Sequence, residues 1–256
     1  MRGLQWFNAL STGAPLVDGL PESLRVADDV LGEQPVRFVA VVTDVQNRFP
    51  RARNGEVGLL EGWGLAKAVD EAIARGDKRP IIAIVDVPSQ AYGRREEALG
   101  IHQALAAAAD SYARARLAGH PVIALLVGKA MSGAFLAHGY QANRLIALRD
   151  PGVMVHAMGK VSAARVTLRS VEELEALAAS VPPMAYDIDS YASLGLLWET
   201  LSVSRIEQPT ADDVARVSDC LVNAIKDVGS SDLRGRLGAT NRAASSQVRQ
   251  LLREQW

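Results

Sequence analysis

The stretch that most constrains this chain is Pro121 to His138, PVIALLVGKAMSGAFLAH. It opens with an unbroken apolar run, Val122 to Val127, which is short and follows Gly119 and Pro121. Such a run reads as a strand buried on both faces, the kind found in parallel sheets. Gly128 is expected to end it. Lys129-Ala130-Met131-Ser132-Gly133 reads as a turn, and Ala134-Phe135-Leu136-Ala137-His138 as the start of a helix. A strand that turns directly into a helix leaves backbone N–H groups without partners, with the positive end of the helix dipole behind them. Small residues let a ligand approach that backbone. The turn is therefore a candidate anion or oxyanion site, with the N–H groups of Gly133 and Ala134 as its donors. The same pattern serves many α/β proteins as a turn and nothing more, so the rest of the chain has to decide.

Around this stretch, strands and helices alternate. Trp6, Phe7 and Leu10 can share one face of a short helix. Leu16 to Gln34 carries Pro21 and Gly32, with Pro35 just beyond, and reads as a loop with a small helix. The first strand expected is Val36–Val42. Asp44 to Gly55 is a polar, basic loop. Gly58 to Arg75 has helical apolar spacing and ends at Gly76, a suitable C-cap. Pro80–Val85 is a second buried strand, leading into Asp86-Val87-Pro88-Ser89-Gln90-Ala91-Tyr92-Gly93. Arg94 to Leu117 is a long helix, expected to break near Gly100. Arg144–Leu148 is a further strand and Val153–His156 another. Beyond Lys160 the strand signal fades. Helices are expected from the capping boxes at Ser170/Glu173 and Thr210/Asp213, and again over Arg242 to Glu254. Strands alternating with helices predict right-handed crossovers and a mainly parallel sheet. Nothing repeats at a fixed period and no low-complexity linker divides the chain, so residues 1–256 are expected to form a single domain.

Composition excludes several classes of function. With 28 basic and 29 acidic residues the net charge is -1, which gives no electrostatic case for nucleic acid or an anionic membrane. The single cysteine, Cys220, excludes an intrachain disulfide and a Cys-rich metal site. The N-terminus lacks a signal-peptide h-region, and no apolar run is long enough to span a bilayer. A soluble, cytoplasmic protein is expected.

Two strand-end loops stand out: DVPSQAYG at Asp86–Gly93, and GKAMSGAF at Gly128–Phe135. In open parallel α/β structures, ligand sites collect at the carboxyl ends of strands. The pair resembles the ClpP/crotonase superfold, and within it the carboxyltransferase branch. There an aspartate–hydrophobic–proline loop and a K-A-x-x-G-A turn are spaced in this way. The likeness extends through Gly100-Ile101-His102-Gln103 and Val153-Met154-Val155-His156-Ala157-Met158-Gly159. Within that branch, SQAYGRREE, KAMSGAF and MVHAMGK are similar to the γ subunit of biotin-independent malonate decarboxylase. The resemblance implies a crotonase-like α/β fold of repeated ββα/βαβ units with flanking helices.

It also implies a function. In that family malonate is carried as a thioester on a CoA-derived, phosphopantetheine-type prosthetic group of an acyl carrier subunit. The β and γ subunits together release CO2 and leave an acetyl thioester, without biotin. The resemblance thus implies a β subunit, the acyl carrier protein and the α, acyl carrier transferase, subunit as partners. It implies no metal or organic cofactor bound by this chain. It assigns the oxyanion hole to Gly133 and Ala134. Ser132 and His156 are further catalytic candidates. Ser89, Gln90, Tyr92, Lys129 and Met131 are candidates for substrate contact.

Alternatives remain at this stage. Clp-type serine peptidases place a serine before a G-A-F turn and a histidine about one strand later, so Ser132 and His156 invite a Ser–His reading. Aligned on Gly133-Ala134-Phe135, however, the nucleophile position falls on Met131 rather than Ser132. A non-catalytic crotonase-like scaffold subunit is the other alternative. Among the remaining histidines, His102 reads as a surface or interface residue, and His120 and His138 have no metal-ligand spacing. Arg48, Arg51 and Arg53 could meet an acidic carrier, although a charged loop is ordinarily just solvated.

Overall fold

The computed structural model describes residues 1–229, 233, 236 and 239–256. In chain order the elements are α1 (Arg2–Leu10), β1 (Leu24–Leu31), β2 (Gln34–Val41), α2 (Leu59–Arg75), β3 (Ile81–Val87), α3 (Arg94–Ala98), α4 (Ile101–Leu117), β4 (Val122–Met131), α5 (Ser132–Ala137), β5 (Arg144–Leu148), β6 (Met154–His156), α6 (Lys160–Thr167), α7 (Val171–Ala178), α8 (Ile188–Ser193), β7 (Glu199–Leu201), α9 (Ala211–Asp227) and α10 (Ala243–Gln255). One sheet runs in the order β1-β2-β3-β4-β5-β7, with β6 also paired to β4. Every pair is parallel except β1–β2. The fold is therefore α/β with a mainly parallel sheet, as the alternation predicts. Among the described residues no helix is long and apolar enough to cross a membrane.

The core follows from the runs read in the sequence. Ile81 to Val85 and Val122 to Val127 are fully buried, because helices cover both faces of these central strands. Helices α2 and α4 pack on each other and against the sheet, while α1 packs on β2, β3 and β4 and touches α9. The long helix breaks where expected: Gly100, at φ 82°, separates α3 from α4.

Three expectations need correction. Residues 24–31 form a strand, not a loop, joined to β2 through Gly32-Glu33 with Gly32 at φ 64°. A two-residue hairpin turn with glycine first is favoured because it matches strand twist. The charged residues Asp28 and Asp29 hid that strand. Next, β4 does not end at Gly128; it continues to Met131, where it pairs with β6. Finally, a short strand follows Lys160 after all: β7 adds to β5 at Glu199–Leu201.

The hairpin carries a buried charge cluster. Arg37, opposite Asp28 in register, is fully buried. Its Nε and Nη2 donate to the two oxygens of Asp28 at 2.8 and 2.7 Å, and its Nη1 donates to the Ala68 carbonyl at 2.6 Å. Arg75 and Arg79 each lie 3.0 Å from the same carboxylate. Burial pushes the Asp28 pKa up, but the Arg37 hydrogen bonds and the neighbouring positive charges outweigh it, and the net shift is downward.

His138 is equally structural. Its Nε2 lies 3.0 Å from the Ile84 carbonyl and its Nδ1 3.0 Å from the Tyr112 hydroxyl. A carbonyl can only accept, so Nε2 carries the proton and Nδ1 accepts from Tyr112. Full burial lowers the His138 pKa to about 4, so the ring is neutral and clamps β3, α4 and the end of α5 together.

Candidate active site at the carboxyl ends of β3, β4 and β6

The site begins with an irregularity in register. Val85 of β3 lies opposite Leu126, but Val87 lies opposite Ala130, so β4 bulges between them. The Asp86 carboxylate fills the bulge. Its Oδ1 accepts from the Lys129 N–H at 3.1 Å, and its Oδ2 accepts from the Gly3 N–H at the start of α1 at 3.1 Å. Gly128 makes room for this carboxylate: a Cβ there would overlap Asp86 Oδ1 and Cγ. The aspartate of the DVP loop thus sets the path of β4 just before the turn.

The turn is sharper than a loop. Met131 is extended (φ -115°, ψ 144°), and Ser132 is already the first residue of α5, at φ 57°. A non-glycine residue in the left-handed region is uncommon and costs of order 1 kcal/mol. Two side-chain hydrogen bonds hold it. Ser132 Oγ donates to the Ala157 carbonyl at 2.7 Å, and the Gly133 N–H donates to Gln90 Oε1 at 2.9 Å. Gln90 is itself fixed by the bridge between its loop and Val57, through Val57 N–H to the Ser89 carbonyl and Ala91 N–H to the Val57 carbonyl.

These bonds locate the sequence-derived candidates. Ser132, Gly133 and His156 line one cavity of about 400 Å³, with Phe135, Tyr140 and Tyr191 among its walls. Ala134 is fully buried behind that surface, and Met131 is buried opposite His156 in the β4–β6 register. Ser89 Oγ donates to the Gln90 carbonyl at 3.1 Å. Lys129 is exposed and engages the site through its backbone N–H. Tyr92 is 56% exposed, next in the chain to the buried Ala91.

Ser132 and His156 share the cavity, but each is hydrogen-bonded to a different partner and not to the other. The Ser132 hydroxyl is spent on the Ala157 carbonyl, which cannot take its proton. His156 Nδ1 lies 3.0 Å from the Met158 carbonyl and 3.2 Å from the Met158 N–H, and its ring stacks on Tyr186 at 3.9 Å. Burial lowers the His156 pKa, with the Met158 carbonyl opposing the shift. Tyr186 also donates through its hydroxyl to the Met158 carbonyl at 2.8 Å. Sequence reading missed Tyr186 and Tyr191, which lie where apolar periodicity is weak. The role of Asp86 was signalled only by its motif. Among the described residues no cluster of three or more His, Cys, Asp or Glu side chains is placed to hold a metal ion.

Known proteins resemble this chain in sequence and fold. Residues 52–256 match the family model for MdcE, the malonate decarboxylase gamma subunit. A crystal structure of a Pseudomonas malonate decarboxylase hetero-tetramer in complex with coenzyme A contains a chain 72% identical to this one. It covers 100% of this chain and 99% of that chain, with a TM-score of 0.96. A Pseudomonas malonate decarboxylase MdcD–MdcE hetero-dimer contains one that is 68% identical, with the same coverage and a TM-score of 0.92. The malonyl-S-ACP:biotin-protein carboxyltransferase MADD of Malonomonas rubra is 33% identical over 230 residues, spanning 86% of this chain and 75% of that protein. A transcarboxylase 12S chain, 20% identical, shares the fold at a TM-score of 0.63 over 86% of this chain and 41% of its own. With the family model matching most of its length, this chain belongs to the malonate decarboxylase gamma subunit family.

Proposed function

We propose that this chain acts with a β subunit to decarboxylate a malonyl thioester carried on an acyl carrier protein, giving an acetyl thioester and CO2. An α, acyl carrier transferase, subunit would load the carrier, whose CoA-derived arm delivers the thioester. The observation that carries this reading is the likeness along the whole chain to a subunit of a solved malonate decarboxylase. In this reading the turn into α5 is what this half contributes. Loss of CO2 breaks a C–C bond and leaves its electron pair in an enolate, whose negative charge grows on the thioester oxygen. Fixed N–H donors beside that oxygen favour the transition state over the ground state. Ser132, Gly133 and Ala134 are the first three residues of α5, so none of their N–H groups has an acceptor within the helix. In this reading the donors at Gly133 and Ala134 form the oxyanion hole.

The chain offers half a site. His156 is held by Met158 and Tyr186, Ser132 by Ala157, and Asp86 by two backbone N–H groups. The remaining groups fall to the partner. Apolar residues exposed beside the turn, and on or just past the helix after β6, suit a covering subunit: Leu136 at 52%, Val161 and Val166 at 69%, and Leu168 at 92%. The test is CO2 release from malonyl-loaded carrier by this chain alone, by the β subunit alone and by both. Turnover is expected only from the pair. Robust turnover by the isolated chain, or none by the pair, would overturn the proposal.

A further inference from the structure

The Gly133 N–H, one of the two donors assigned to the oxyanion hole, is already occupied by Gln90 Oε1 at 2.9 Å. That bond sets the orientation of the Gln90 carboxamide, because an N–H can be received only at the oxygen. The two hydrogens on Nε2 are then turned away from Gly133, and they meet no acceptor among the described residues. The carboxamide is held at both ends. Its backbone is bridged to Val57 on either side, and its head rests on the Cα of Gly133, where an added Cβ would lie 3.4 Å from Oε1. The residue is half-buried, and its oxygen meets Gly133, which lines the cavity at the turn.

We infer that Gln90 is a substrate-touching donor: its Nε2 hydrogens meet the developing oxyanion, and the Gly133 N–H acts through it as a positioning group. The inference rests on the decarboxylase reading above and refines its oxyanion hole. Two physical arguments favour a relay over a plug that the substrate must displace. Catalytic donors act best when nothing has to reorganise as charge develops, and displacing Gln90 would require such a step. A hydrogen bond received at the amide oxygen also polarises the amide, making its N–H groups stronger donors. The competitor for the Gly133 N–H is thereby converted into an extension of it.

The experiment compares wild type, Gln90→Ala and Gln90→Glu in the assembled complex, reading kcat, KM for the malonyl-loaded carrier, and the thermal midpoint. Glutamate keeps an acceptor for the Gly133 N–H but has no donor; alanine has neither. Both variants are expected to assemble with wild-type thermal midpoints and to lose kcat by about a hundredfold. In Gln90→Ala, KM should change little, since the donor acts mainly in the transition state. In Gln90→Glu, the introduced carboxylate also repels the oxyanion as it forms, so its kcat should fall at least as far as that of Gln90→Ala. A Gln90→Glu enzyme with wild-type kcat would reduce Gln90 to a brace for the turn and overturn the inference. So would a Gln90→Ala enzyme at or above the wild-type rate, which would make Gln90 a plug. In either case the wild-type complex still decarboxylates, so the parent reading stands. A wild-type complex without turnover would remove both.

Discussion

Two polar clusters lie along this sheet, and they are built on different plans. At the hairpin, side chains bond mostly to side chains: Arg37, Arg75 and Arg79 converge on Asp28, and one strand is locked to its neighbour by charge. At the carboxyl ends of β3 and β4, side chains bond to backbone. Asp86 takes the N–H groups of Gly3 and Lys129, Gln90 takes that of Gly133, and Ser132 donates to the carbonyl of Ala157. The first plan makes stability from ion pairs. The second fixes the main chain beside the cavity that Ser132, Gly133 and His156 line. Electrostatic catalysis depends on donors held in place before charge appears, and a main chain braced from several sides provides that rigidity. The contrast predicts that losing the Asp86 or Gln90 contacts to this main chain should reach activity, whereas damage at the hairpin should reach stability alone.

The largest effect is expected from Gly128→Ala. Its Cβ would overlap Asp86 Oδ1 and Cγ, so the carboxylate must leave the bulge. Two backbone N–H groups then lose their acceptor, and β4 shifts just ahead of the turn. Overpacking together with unpaired N–H groups should cost roughly 4 kcal/mol. Denaturant unfolding should show that loss, and the protein that still assembles should have lost most of its decarboxylase rate. A stable Gly128→Ala enzyme with full activity would show that the bulge does not set the turn.

A smaller effect, confined to stability, is expected from Arg37→Met. Removing one partner of a buried ion pair costs more than the pair contributes, because the remaining charge stays behind. Asp28 keeps Arg75 and Arg79, but the Ala68 carbonyl loses its donor. A loss of roughly 3 kcal/mol in denaturant unfolding is expected, with kcat unchanged in the assembled enzyme. A fall in kcat at full assembly would join the two clusters into one functional unit and break the comparison.

What the sequence revealed follows the same division. Buried strands were legible because helices cover both faces of β3 and β4, which makes the runs at Ile81 and Val122 continuously apolar. Strand β1 was hidden because Asp28 and Asp29 interrupt its apolar pattern, and the arginines that make this tolerable come from β2, α2 and the segment before β3. The turn at Ser132 and the loop at Gln90 were legible as motifs. The bond between them was not, since it links residues 43 positions apart. Nor could the register shift be read, because Gly128 looked like the end of a strand when it is the space that Asp86 occupies.

The smallest effect should come from Ser132, although it stands at the centre of the site. Its hydroxyl donates to the Ala157 carbonyl, and its backbone is at φ 57°. Ser132→Ala loses the hydrogen bond and keeps the left-handed strain, which should cost about 1 kcal/mol. Ser132→Gly loses the same bond but relieves a strain of roughly 1 kcal/mol, so its stability should stay close to wild type. Neither variant removes a backbone N–H or touches Gln90, so both should keep kcat within a few-fold of wild type. Unfolding midpoints and turnover of the assembled enzyme measure the two quantities separately. If both variants lost more than about tenfold in kcat, or if a serine-hydrolase probe labelled Ser132 covalently, the hydroxyl would be chemical and not structural. The site would then depend on a side chain that reacts, and its contrast with the hairpin would have to be drawn on other grounds.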